Sequence, residues 1–184
     1  MQLAVLSDVH ANLPALEAVL ADVDRTAPAG IWVAGDLVGY NPWPNEVIQI
    51  LRDRRVRAIR GNHDRAALGG DTFRFNELAS AAVRWTRIQL MPGSVGYLKD
   101  LEDRTRTAMP EGLVAMYHGS PRDDDEYVLP GTADESLCRS FATTNPALHV
   151  QELFPGRRVA GVDCTDIIYG AGTLHCISQQ QPST

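Results

Sequence analysis

The chain has 184 residues, 44% hydrophobic and 22% charged, with a net charge of −6; this is the make-up of a soluble globular protein large enough to bury one core. The acidic balance argues against a broad basic surface for nucleic acid, but not against a phosphate-bearing ligand, because bound metal ions supply local positive charge. No run approaches the roughly 20 apolar residues that a membrane span needs, and Leu3-Ala4-Val5-Leu6 is too short for a signal peptide, so the cytoplasm is the expected location.

The elements follow one rhythm. Residues 2–10, QLAVLSDVH, are a short apolar run ending in polar residues. Residues 12–24 then place Leu13, Leu16, Val19, Leu20 and Val23 at helical spacing, with Asn12 as N-cap and Pro14 in the first turn. GIWVAGD (30–36) reads as a buried strand, PNEVIQILRDR (44–54) as a helix and VRAIRGN (56–62) as a third strand. Strands and helices alternating at these lengths predict right-handed βαβ units around a largely parallel sheet.

Residues 75–90 form an amphipathic helix stopped by Pro92-Gly93, and 95–101 a short second one. RTRTAM and LVAMYHGS read as a hairpin turning at Glu111-Gly112. Beyond it, 133–142 is a candidate helix, followed by short strands separated by glycines and prolines, with a frayed end. No linker divides the chain, so a single domain over 1–184 is expected, motif-bearing over 1–122 and divergent over 123–184. Cys138, Cys164 and Cys176 have no CxxC spacing and read as ordinary side chains.

Three predicted strands end in polar clusters: Asp8-x-His10, Gly35-Asp36 and Gly61-Asn62-His63-Asp64. A fourth delivers His118. Each has an ordinary explanation alone, as a turn, a cap or an Asx-type loop. In an open α/β sheet, however, the carboxyl ends of the strands form the crevice where ligands bind. Four clusters in order at strand ends therefore point to one site. Their carboxylates, imidazoles and amide suit Mn²⁺, Fe or Zn.

The set resembles the calcineurin-like metallophosphoesterase family. Its signature reads here as Asp8-x-His10, Gly35-Asp36-Leu37-Val38-Gly39-Tyr40, Gly61-Asn62-His63-Asp64 and His118-Gly119-Ser120-Pro121. The stretch GDLVGYNPWPNEV is similar to the small prokaryotic branch. The resemblance implies a layered α-β-β-α fold, a central β-sandwich flanked by helices. It also implies two divalent ions, manganese first with iron or zinc as alternatives. Asp36 would bridge them, with Asp8 and His10 on one ion and Asn62 and His118 on the other. Such a pair, about 3.5–4 Å apart, polarises a phosphate and lowers the pKa of a bound water. His63 would stand beside the phosphate, stabilising charge or protonating the leaving oxygen, and Asp64 would orient its imidazole. Tyr40, Asn41 and Trp43 are candidates for the substrate mouth, and Arg65 for a phosphate contact. The acidic run 123–126 reads as a solvated loop.

The pattern breaks in the C-terminal part, where the family's late Asn-Pro-Gly-Ser stretch is missing. The family's Gly-His-x-His motif is also absent, and only His149 and His175 remain. If PALHVQ stands in its place, His149 matches the second histidine and Ala147 replaces the first; the other reading of His149 is an outward side chain on a short strand. The C-terminal part is thus expected to have diverged, been shortened or been shifted in reading frame. The expected activity is hydrolysis of a phosphodiester or phosphomonoester of a small molecule or nucleotide. The rivals are a non-catalytic binding protein that keeps the fold and a protein Ser/Thr phosphatase. A shortened second sheet would leave an edge open to self-association.

Overall fold

A computed structural model describes residues 2–110 and 112–127. The chain runs β1 (Leu3–Leu6), α1 (Leu13–Thr26), β2 (Gly30–Val33), α2 (Pro44–Asp53), β3 (Arg57–Ala58), α3 (Asn62–Ala67), α4 (Glu77–Gln89), α5 (Pro92–Asp100), β4 (Arg104–Met109) and β5 (Gly112–Tyr117). β1, β2 and β3 form a parallel sheet in that order, with Leu3 opposite Gly30 and Val33 opposite Ala58. β4 and β5 form an antiparallel hairpin, Arg104 opposite Tyr117.

The βαβ units arise where the sequence places them. Asn12 caps α1, its side chain accepting from the Ala15 amide at 3.2 Å. Pro44 opens α2, where a missing N–H costs nothing. The third strand is shorter than its apolar run suggests. Arg60 donates its amide to Glu102 at 2.8 Å, Ile59 bridges in parallel to Glu102, and Asn62 already begins α3. Pro92 starts α5 as well as ending α4, so that helix begins three residues earlier than periodicity alone predicts.

The layering follows from β2. Successive side chains of a strand point to opposite faces. Val33 packs with Leu16 and Leu20 of α1, Val47, Ile48 and Leu51 of α2, and Leu98 of α5. Its neighbour Trp32 packs on the other face with Ile59 and with Met116 of the hairpin. Helices therefore cover one face of the parallel sheet and a second sheet covers the other. The predicted helix 133–142 and the strands after it lie outside the described residues. No helix among the described residues is long and apolar enough to cross a membrane.

Candidate metal centre

The loops leaving β1 and β2 are stitched together. Asp8 donates its amide to Gly35 at 3.0 Å, His10 to Asp36 at 2.8 Å and Ala11 to Leu37 at 2.8 Å. To make these bonds, Asp8 (φ 56°), His10 (49°) and Asp36 (54°) all take left-handed backbone conformations. Such conformations are uncommon outside glycine and concentrate at functional sites. The strained residues of these loops include three named as metal ligands, together with Ala11 and Tyr40.

Gly61 brings the third loop in. A Cβ there would lie 2.0 Å from Asp36 Oδ1, so any side chain would collide with the carboxylate. This close approach lets the His63 amide donate to Asp36 Oδ1 at 2.9 Å.

Asp36, 2% exposed, stands at the centre. Its Oδ2 lies 3.7 Å from His10 Nε2 and 3.4 Å from His118 Nε2. Asp8 Oδ1 is 3.7 Å from His10 Nε2, and Asn62 Oδ1 is 2.9 Å from His118 Nε2. Potential ligand atoms fall into two groups, His10–Asp36–His63 and Asp8–Asp36–His118, with Asp36 common to both. Asp8, His10, Asp36, Asn62, His63 and His118 thus converge, although only the fold could bring 8 and 118 together.

These residues fit a divalent cation. His118 Nδ1 lies 2.8 Å from the Ala34 carbonyl and His10 Nδ1 lies 3.3 Å from that of Val38. With Nδ1 donating to a carbonyl, each ring turns its Nε2 inward, the tautomer and orientation a metal ligand needs. Asp8 Oδ1 is buried with no hydrogen-bond partner among the described residues, while Ser7 Oγ donates to Oδ2. Lone pairs this close, out of water, require a positive centre: a proton on an imidazole or a metal ion.

In the absence of metal, His118 supplies that charge. Burial alone would lower its pKa, but the bond to Asp36, the charges of Asp36 and Asp8 and the bond to Ala34 raise it to about 9. Burial would likewise raise the Asp36 carboxyl. His118, His10 and His63 outweigh burial and hold it well below the usual carboxylate range.

His63 behaves oppositely. Burial dominates, helped by His10 and His118 and opposed by Asp36, and lowers its pKa to about 4. Asp64 does not orient this imidazole by a hydrogen bond, which corrects the expectation from the motif. Its carboxylate accepts from the amides of Gly61 at 2.9 Å, Val38 at 3.0 Å and Leu37 at 3.2 Å. Burial and the charge of Asp36 raise its pKa to about 6 against those three bonds. Asp64 therefore fixes the backbone from which His63 and the Asp36 loop project. Its hydrogen bonds among the described residues all serve that task.

Tyr40 stands at the site, its ring 4.7 Å from both His10 and His63. Asn41 is tied to the His10 carbonyl through Nδ2 at 2.9 Å, and Trp43 is the N-cap residue of α2. Arg65 faces carboxylates instead of an open phosphate site: Nη1 is 3.3 Å from Asp103 and Nη2 bonds Asp125. The acidic run is a pairing loop, Asp124 meeting Arg104 and Glu126 meeting Arg122.

Phe75 went unmarked in the sequence, and Gly39 was marked only as part of the signature. Phe75 stacks on His63 with centroids 4.5 Å apart at 26°. Gly39 (φ 100°) lies beneath the same ring, since a Cβ there would be 2.6 Å from His63 Nδ1. One signal for Phe75 existed. It precedes the Asn76 N-cap, where an apolar residue ordinarily staples to the fourth helical residue, but that position is Ser80, so Phe75 must pack elsewhere.

The family model for calcineurin-like phosphoesterases matches residues 1–148. The chain belongs to that family of metal-dependent phosphoesterases and has its layered α/β fold. An uncharacterised protein of Methanocaldococcus jannaschii is 32% identical over 136 residues, 72% of this chain and 56% of that protein. The crystal structure of a metallophosphoesterase from Sphaerobacter thermophilus is 40% identical, with a TM-score of 0.55 over 70% of this chain and 51% of that one. The chain thus spans about half the length of these relatives.

A second family model, for Porphyromonas-type peptidyl-arginine deiminase, matches residues 142–182. A putative agmatine deiminase of Lactococcus lactis is 54% identical over 71 residues, 34% of this chain and 19% of that protein. The departure from the phosphoesterase pattern therefore coincides with likeness to another family. His149, the candidate ligand, lies outside the described residues, one position past the phosphoesterase match and inside the other; His175 also lies outside the described residues and inside the second match.

Proposed function

We propose that this chain carries the metal centre of a phosphoesterase acting in the cytoplasm on a phosphodiester or phosphomonoester of a small molecule or nucleotide. The observation that carries the reading is the inward turn of His10 and His118. Both Nδ1 atoms face backbone carbonyls, and both Nε2 atoms face Asp36. Asp8, His10 and Asp36 would hold one ion and Asp36, Asn62 and His118 a second, manganese being the first choice for this oxygen-and-nitrogen set. Such ions, when bound, supply charge that polarises a phosphoryl group and acidifies water.

The remaining work belongs to the chain. Asp36 stays ionised at any working pH: without metal, His118, His10 and His63 hold its pKa low against burial, and bound ions would take over that role. His63, neutral near pH 7, offers an N–H to the oxygen on which charge develops, and burial strengthens that bond. Asp64 and Gly61 hold the loop beneath it. Tyr40 forms part of the wall where substrate would enter. The decisive assay measures bis-p-nitrophenyl phosphate hydrolysis with Mn²⁺, with and without chelator, beside Asp36→Ala and His63→Ala. We expect Asp36→Ala and chelation each to lower turnover at least about 1000-fold, since such ions contribute several kcal/mol. Equal turnover in all samples would end the proposal.

A second reading, a binding protein that keeps the fold without turnover, is favoured by the absence of Gly-His-x-His. Metal analysis separates the two. Two ions per chain with turnover supports the enzyme, whereas one ion or none with ligand binding and no turnover supports the binding protein.

A further inference from the structure

The imidazole of His63 is 5% exposed, yet hydrogen bonding does not set its orientation among the described residues. Nδ1 is buried without a partner, and Asp64 is committed to three backbone amides. The backbone is well fixed, through the His63 amide on Asp36. Fixing a backbone does not fix a ring, however, because rotation about the second side-chain torsion of histidine is broad. Among the described residues, packing is what remains to hold the plane.

What surrounds the ring is aromatic. Phe75 is stacked on it at 4.5 Å and 26°, Tyr40 lies at 4.7 Å and 39°, and His10 meets it edge-on at 4.7 Å and 75°. Gly39 takes the space beside Nδ1. Of these, Tyr40, Gly39 and His10 come from the β1 and β2 loops that build the metal centre. Phe75 alone comes from elsewhere, at the head of α4. That helix is set independently. Asn76 caps it on the Ala79 amide at 2.8 Å, and Arg87 ties it back to the α3 region through the carbonyls of Ala66 and Gly70, the latter at 3.2 Å.

We propose that Phe75 is the positioning residue for His63, stacking on the imidazole to hold its plane at the metal centre, a task the motif leads one to assign to Asp64. The inference rests on the reading of His63 as the group that acts on the phosphate. Phe75 acts only through His63, so its removal costs turnover and leaves substrate and metal affinity alone.

The test compares Phe75→Ala and Phe75→Tyr, each with and without His63→Ala, in the full chain with Mn²⁺. Phe75→Ala is expected to lower kcat about tenfold, the worth of one well-placed aromatic pair, with KM within about twofold and metal content unchanged. Phe75→Tyr, which keeps the ring, restores kcat to within about twofold. In the His63→Ala background, Phe75→Ala changes nothing further. An equal loss in both backgrounds, or no loss in either, overturns the proposal. Ring orientation is read separately by NMR on the zinc-loaded protein. Contacts of the His63 ring protons with Tyr40 and His10, read as NOEs, are expected to change in Phe75→Ala and to persist in Phe75→Tyr. If His63→Ala hydrolyses like the unmodified chain, the reading of His63 fails, and these NOEs still decide whether Phe75 holds the ring; an unchanged pattern in Phe75→Ala refutes it.

Discussion

His63 and His118 line the same crevice, both are buried and both lie near Asp36, yet the protein drives them in opposite directions. His118 is held above neutrality, to about 9, and His63 is pushed to about 4. Burial is the largest influence on each and lowers both. The difference is what meets the ring. His118 has Ala34 on one nitrogen and Asp36 with Asn62 on the other. His63 hydrogen-bonds Asp36 through its amide and not through its imidazole, and its ring is surrounded by Phe75, Tyr40 and His10. A single carboxylate thus charges one histidine through its ring and anchors another through its backbone. The side of the crevice built from hydrogen bonds suits a cation, and the side built from stacked rings suits a neutral donor.

Three changes would break or sharpen this contrast. The largest effect belongs to Gly39→Ala, whose Cβ would sit 2.6 Å from His63 Nδ1. The ring must move, so we expect kcat to fall by about 100-fold or more, the worth of a positioned proton donor. Metal content by elemental analysis should stay intact; loss of both together would mean that the two sides are not separable.

Next comes pH. In the metal-free chain the folded pKa of His118 lies above its unfolded value. Its stabilising effect is therefore fully present below about pH 6.5 and lost as pH rises through about 9, by at most about 3 kcal/mol. Chemical denaturation of chelated protein at pH 6.5 and 10 measures this. With metal the sign reverses, because the ion must displace that proton. Affinity should climb about tenfold per pH unit between 7 and 9. His118→Asn should flatten both trends, and persistence of either would assign them to another group.

The smallest effect is Arg65→Ala. Its side chain is 26% exposed and paired with Asp103 and Asp125, so the loss of stability should be under about 1 kcal/mol. KM should move less than about twofold. A tenfold rise in KM would return Arg65 to the substrate and make its acidic partners a resting arrangement.

The sequence was legible where local chemistry and spacing agree. The Asn12 cap, the βαβ rhythm and the hairpin at 104–117 follow from periodicity, caps and turns, since those act over a few residues. That Asp8, His10, Asp36, Asn62, His63 and His118 would meet was legible because one strand after another ends in a polar cluster, first the parallel β1, β2 and β3 and then β5 of the hairpin. What could not be read were contacts between elements far apart in the chain. Nothing local to Asp64 says that its oxygens go to Leu37 and Val38, twenty-seven and twenty-six positions away, instead of to its neighbour His63.

By itself, then, the sequence determined the strand-end clusters of Asp8, His10, Asp36, Asn62, His63 and His118 and the family to which they belong. Only the tertiary structure decided how the work is divided among them. Spacing fixes which residues reach the crevice, whereas a hydrogen bond or a stacked ring is a choice made in three dimensions. Ala34 and Asp36 made that choice for His118, and Gly39 and Phe75 made it for His63.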